Sequence, residues 1–163
     1  MSPRTGALQG LPMPKTVYVL NGPNMNLLGS RQPEIYGRAT IKDVEKLCRE
    51  TAKRCGFAIE FHCSNHEGAL VDLIQEAGAK KAAGVVINGA GLTTTSVAIH
   101  DAIKAVRLPV IEVHVTNIFA RESWRHASLI AMAAQATMAG FGIRGYALAI
   151  EALAGMTGKK TKR

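Results

Sequence analysis

The sequence lacks most of the signatures that would settle a function class at once. No apolar run approaches the roughly 18 residues needed to span a bilayer. The opening residues "MSPRTGALQGLPMPK" have no apolar centre of the kind a secretory leader carries. Residues 1–15 therefore read as a flexible extension. No stretch repeats and no linker divides the chain, so 163 residues fit one domain. Cysteine is scarce, at three residues, and no two form a CxxC pair. Cys48 and Cys55 fall in a helical segment and Cys63 ends a strand. That pattern argues against a metal or redox site. Reduced, mostly buried thiols fit a cytoplasmic protein.

Positive charge is also thinner than the total suggests. The formal net charge is +8, but four basic residues sit in the end "GKKTKR" and a fifth is Arg4. Without those five, 15 basic residues face 12 acidic ones. Residues 156–163 read as a basic tail. What remains is not the clustered footprint of a nucleic-acid binder.

What the chain does have is a 47% hydrophobic content, arranged as apolar runs that alternate with helical segments. "TVYVL" (16–20), "FAIEFHC" (57–63), "AGVVIN" (83–88) and "PVIEVHV" (109–115) read as strands. "IKDVEKLCRETAKRCG" (41–56) has apolar positions at helical spacing, with Thr40 as N-cap and Gly56 as stop. Helices are also predicted over 67–78, with Asn65 or His66 near the start, over 95–106, near 121–130 and within 142–155. "MAGFG" is ambiguous. Strands alternating with helices imply right-handed βαβ units and a parallel sheet. The predicted class is α/β: a flavodoxin-like, doubly wound parallel sheet of four or five strands with helices on both faces. Residues 16–155 form its single domain.

In such sheets ligands bind beyond the carboxyl ends of the strands, where strand order reverses. After the first strand comes "NGPNMNLLGSRQPEIYG", 17 residues where roughly 2–6 would connect an α/β unit. Asn88 ends the third strand. Glu112, His114, Thr116 and Asn117 end the fourth, followed by Arg121 and Arg125. Together these donors and cations suit a small, polar, anionic substrate. Each also has a plainer reading. Asn21, Gly22 and Asn24 could simply make a turn. His114 could be a core histidine satisfied by Glu112, its neighbour on the same strand face. Arg121 and Arg125 could line a solvated helix face. Tyr36 could be a surface aromatic, and the 93–96 hydroxyls could only cap a helix.

Five segments in order, "LNGPNMNLLGSRQPEIYG", "SNHEGALVDLI", "GVVINGAGLTTTSVAIHDAI", "IEVHVTNIFARESWRHAS" and "GFGIRGYALAIEAL", resemble the type II 3-dehydroquinate dehydratases over about residues 16–153. The resemblance implies a flavodoxin-like subunit in a dodecamer of trimers. It implies dehydration of 3-dehydroquinate to 3-dehydroshikimate through an enolate, in the shikimate route or in quinate breakdown. No metal and no organic cofactor are implied, and neither a membrane nor a nucleic acid is an expected partner. The long loop would be the active-site lid. Tyr36 matches the general base, Arg31 the cation beside it and Asn24 the asparagine at the base of the loop. His114 matches the general acid, with Glu112 orienting it, and Arg121 a second lid-associated arginine. Asn88, Thr94, Val115, Thr116 and Arg125 match substrate-binding positions. Asp101 matches an acid that reaches a neighbouring subunit's site.

Those roles suit the reaction. A phenol is a weak base, since it ionises only near pH 10, and a nearby guanidinium favours the anion. A loop that closes over substrate excludes water, which strengthens that effect. Asn24 and an ordered water could serve the developing enolate. An imidazole is matched to protonating the departing hydroxyl near neutral pH. Arg125 could grip a carboxylate in a bidentate pair.

The sequence departs from the family pattern at four places. Thr94 stands where a substrate-binding His is usual, Gln32 for Glu beside the lid proline, His62 for Gln, and His100 for Arg. The tyrosine, arginine and histidine of the chemistry remain, so an active enzyme is expected, with binding weakened or altered at Thr94. Two rivals are a diverged paralogue acting on another cyclic keto acid and a flavodoxin-like module for flavin or nucleotide.

Overall fold

The computed structural model describes residues 12–158, so most of the predicted 1–15 extension and 156–163 tail lies outside the described residues. Five parallel strands form one sheet: β1 (Thr16–Asn21), β2 (Ala58–Cys63), β3 (Gly84–Asn88), β4 (Val110–His114) and β5 (Ala136–Ala139), in the order β2-β1-β3-β4-β5. This is the flavodoxin-like order, with its switch point between β1 and β3.

Both faces of the sheet are covered, and the period-2 alternation of each strand supplies two cores. Val17 and Val19 of β1, Val86 of β3, and Ile111 and Val113 of β4 share one core with α2 (Ile41–Cys55) and α6 (Arg144–Thr157). Val44, Cys48 and Ala52 come from α2, and Tyr146, Ala149, Ile150 and Leu153 from α6. The intervening residues Tyr18, Leu20, Val85, Ile87 and Val110 face α3 (Glu67–Ala79), α4 (Val97–Ala105) and α5 (Leu129–Ala133) through Leu70, Ile74, Ile99, Ile103 and Ile130. A Val or Leu side chain buried in this way contributes roughly 1.5–3 kcal/mol.

The first predicted helix has its expected ends. Thr40 accepts from the Asp43 amide and Asp43 accepts from the Thr40 amide, a complete capping box. Gly56 stops the helix in the left-handed region at φ 78°. Three expectations need correction. The helix near 121–130 is instead two 3₁₀ turns, Ile118–Ala120 and Ser123–Arg125, followed by the short α5. Asn117 and Ser128 cap pieces of this segment, so it breaks into short turns. The ambiguous region becomes β5 and a turn, with Gly140 at φ 90° and Gly142 at φ 59°. An apolar run as short as "ATMA" cannot be told from helix by periodicity. The thiols are not mostly buried: Cys48 is buried, Cys55 half-buried and Cys63 exposed. Burial pushes the Cys48 thiol up to about 12, which keeps it protonated and unreactive.

The switch point is unusually tight. A Cβ on Gly22 would lie 2.4 Å from the Gly89 carbonyl oxygen, so the backbones leaving β1 and β3 can pass only because residue 22 has none. The Gly22 amide uses the approach by donating to the Asn88 carbonyl at 2.8 Å.

Candidate active site

A cavity of about 150 Å³ opens beyond the carboxyl ends of β1, β3 and β4. The long loop after β1 lies along one side. It folds into a 3₁₀ turn at Met25–Leu27 and the single helical turn α1 (Pro33–Tyr36), and it presents Asn24, Leu28, Arg31 and Tyr36 to the cavity. The plainer reading of Asn24 is partly right. It holds φ 68°, in the left-handed region, and its amide donates to Asn65 Oδ1 at 2.9 Å. Turn-making and cavity-lining coincide in this residue.

The 3₁₀ turn after β3 (Ala90–Thr94) places Thr93 and Thr94 on a second side, and Asn88 forms part of the floor. His114, Val115 and Thr116 come from the end of β4, and Arg121 and Arg125 from the turns that follow. Of the helix-capping candidates, only Ser96 caps α4, through the Ile99 amide at 2.9 Å.

The two loop-side arginines divide their contacts with Tyr36. Arg121 donates from Nη1 to the Tyr36 hydroxyl at 2.8 Å, with its Cζ 5.2 Å from the ring centroid. Arg31 stands over the ring, its Cζ 5.9 Å from the centroid. The resemblance places Arg31 beside Tyr36, and it stands against the ring; the bond to the hydroxyl comes from Arg121. Glu122 orders the arginine pair, accepting from Arg125 Nε at 3.0 Å and standing 3.5 Å from Arg121 Nε. Its own backbone amide, then Arg125 and Arg121, hold its carboxyl below the usual range. Arg125 also stacks on Trp124, with Cζ 4.2 Å from the ring centroid.

His114 is 7% exposed and Glu112 beneath it is fully buried. His114 Nε2 lies 3.1 Å from Glu112 Oε1 but makes no aligned hydrogen bond to it. The Glu112 carboxyl is satisfied from elsewhere. Ser128 donates to Oε1 at 2.5 Å, and Thr137, its cross-strand neighbour on β5, donates to Oε2 at 3.1 Å. A carboxyl out of water needs such donors to be tolerated. Asp101 is not brought to this cavity. It is exposed on α4 and contacts His100 Nδ1 at 3.0 Å. Among the described residues, no group of three or more His, Cys, Asp or Glu is placed to hold a metal ion.

The family model described as Dehydroquinase class II matches residues 15–154. The chain belongs to that family. It is 60% identical over 150 residues to the 3-dehydroquinate dehydratase of Afipia carboxidovorans, covering 92% of this chain and 99% of that one. It is 57% identical over 150 residues to the 3-dehydroquinate dehydratase of Rhodopseudomonas palustris strain HaA2, with the same coverage. The crystal structure of the type II dehydroquinase from Propionibacterium acnes superposes with a TM-score of 0.84 at 38% identity, covering 88% of this chain and 98% of that one.

Several residues of this dehydroquinase site went unread in the sequence. Ser128 ends the fourth matching segment but carries no assigned role there, and Thr137 lies in none of the five; they meet Glu112 from 16 and 25 residues away. Trp124 is 61% exposed yet lines the cavity, and only its place beside Arg125 could have suggested it. Tyr146, on α6, reaches the cavity floor from the core.

Ser128 has two tasks, since its hydroxyl also accepts from the Ala131 amide at 2.9 Å to cap α5. Ser128→Ala removes both a cap and a donor to a buried carboxyl. Chemical denaturation is expected to show a loss of about 1–3 kcal/mol. A loss below about 0.5 kcal/mol would mean that the Glu112 carboxyl finds another donor.

Proposed function

We infer that this chain is a hydro-lyase that dehydrates 3-dehydroquinate to 3-dehydroshikimate in the shikimate pathway. The observation that carries the reading is Tyr36 turned into the cavity with its hydroxyl on the Arg121 guanidinium, in a chain of the class II dehydroquinase family. A lone surface tyrosine would not be held there by a cation.

The proposed roles follow from charge and placement. Tyr36, with Arg121 on its hydroxyl and Arg31 against its ring, takes the proton alpha to the ketone. Charge then develops on the ketone oxygen, and Asn24 is the donor proposed to meet it. His114 gives a proton to the departing hydroxyl, and Glu112 stabilises the imidazolium on its far side. Asn88, Thr94, Val115, Thr116 and Arg125 hold the substrate, with Arg125 on the carboxylate. The flavin or nucleotide module falls away with family membership.

An ultraviolet assay for the conjugated enone formed from 3-dehydroquinate tests the reaction. Tyr36→Phe keeps the ring and deletes the base, and turnover is expected to fall by more than about a hundredfold. Its thermal stability should stay near that of the parent, because Tyr36 sits in a loop. Parental turnover in the variant would remove Tyr36 from the base role.

The assembly proposed is a homo-oligomer, a dodecamer of trimers, in which Asp101 serves a neighbour's cavity. Its exposure on α4, away from its own subunit's cavity, is consistent with that role. Sedimentation at assay concentration is expected to show a large oligomer, and an active monomer would count against it. The catalytic unit proposed is the single domain 16–155. A cytoplasmic location is proposed on the free cysteines, which suit a reducing compartment.

Thr94 lines the cavity where the family pattern has a histidine. Its hydroxyl is shorter and never cationic. One hydrogen bond is typically worth about 0.5–1.5 kcal/mol, a factor of roughly 2–13 in binding. Thr94→His is expected to lower KM for 3-dehydroquinate by such a factor with kcat little changed. A raised or unchanged KM would favour a pocket reshaped for another cyclic keto acid.

A further inference from the structure

Between the cavity and the core runs a chain of hydrogen bonds in which Asn88 alone has a part in the proposed chemistry. Tyr146 is completely buried and belongs to α6, whose other buried residues are all apolar or glycine. Its hydroxyl donates to Asn21 Oδ1 at 2.7 Å and accepts from Asn88 Nδ2 at 3.0 Å. Asn21 and Asn88 are register partners at the ends of β1 and β3. The outer ends of both amides are also committed. Asn21 Nδ2 donates to the His62 carbonyl at 3.1 Å, and Asn88 Oδ1 accepts from the Ala90 amide at 3.1 Å.

These bonds have one consistent polarity. A backbone amide can only donate, so the Ala90 N–H requires the oxygen of Asn88 on its side. That places the Asn88 nitrogen against Tyr146, whose oxygen must accept there and whose single proton must go to Asn21. Turning the Asn88 amide over would set its NH₂ against the Ala90 N–H and its oxygen against Tyr146, whose proton is already committed. The amide nitrogen has two N–H groups, and Tyr146 engages one. The other remains for the cavity that Asn88 lines. Ala90 itself sits at φ 48°, a region a residue with a Cβ rarely occupies, and it begins the turn that carries Thr93 and Thr94.

We propose that Tyr146 is a positioning residue for substrate binding. Its hydroxyl fixes the Asn88 amide so that an N–H donor points into the cavity. Through the Asn88–Ala90 bond it also steadies the turn bearing Thr94. Burial pushes the Tyr146 phenol well above its usual range, so it stays a neutral donor and acceptor at working pH. The inference rests on the reading of Asn88 as a substrate contact.

Tyr146→Phe removes one oxygen and keeps the ring. The amide of Asn88 loses the partner that holds its orientation, and KM for 3-dehydroquinate is expected to rise roughly two- to tenfold, the value of one binding contact. The kcat should change less, because Tyr36 and His114 are untouched. A variant with lower thermal stability but parental KM and kcat would show a structural role only and overturn the proposal. Asn88→Ala and the double variant separate the two readings. If Tyr146 acts through Asn88, the double variant has the KM of Asn88→Ala alone; additive effects would overturn the coupling. Parental KM in Asn88→Ala would instead remove Asn88 as a substrate contact, and the inference with it. Should Tyr146→Phe not accumulate folded, Asn21→Ser carries the same test. It frees the Tyr146 proton to turn toward Asn88 and is expected to raise KM; parental KM in a folded Asn21→Ser would count against the fixed polarity.

Discussion

The architecture of this site depends on how closely the backbones leaving β1 and β3 approach each other. Gly22 passes the Gly89 carbonyl at a distance no Cβ could share, and its amide bonds the end of β3. That contact joins the start of the long loop to the floor of the cavity. Tyr36 and Arg31 are carried out from one side of it, and Thr93 and Thr94 from the other. A parallel sheet of this order has its switch point here in any case. The close approach brings the residues that follow β1 and β3 to the same cavity.

Around that contact the polar groups are arranged in layers of decreasing solvent access. Tyr36, Arg121 and Arg125 are only half-buried, and Arg121 is fixed by its bond to Tyr36 as Arg125 is by the exposed Glu122. His114 is nearly buried, and Glu112 behind it is wholly so, satisfied by two hydroxyls from β5 and the start of α5. Electrostatic contacts strengthen as water is removed. The His114–Glu112 contact therefore lies where water screens it least. The tyrosine, by contrast, sits half-buried on the long loop at the edge of the cavity.

Two arginines meet Tyr36 by different routes. Arg31 lies in the same loop and stands against the ring. Arg121 lies 85 residues away and reaches the hydroxyl because the turns after β4 fold back over the cavity. The same holds for Ser128 and Thr137, which meet Glu112 only because β5 and α5 flank β4. Arg121 follows one 3₁₀ turn and Arg125 ends the next, where the sequence predicts a helix, because the apolar spacing of so short a segment does not distinguish the two.

The sequence by itself determined the parallel α/β class, four of the five strands and the ends of α2. These follow from local patterns: apolar runs bounded by turn residues, helical spacing, a capping box and a glycine stop. It also determined the residues at the carboxyl ends of the strands, since the position of a residue after a strand is a one-dimensional fact. Only the tertiary structure decided which of those residues touch. It set Arg121 rather than Arg31 on the Tyr36 hydroxyl, left Asp101 outside the cavity of its own subunit, and brought Tyr146 from the last helix to bridge Asn21 and Asn88. Such contacts join residues 58 to 125 positions apart. No local propensity encodes them, because they exist only once the sheet order and the packing of α6 have been set.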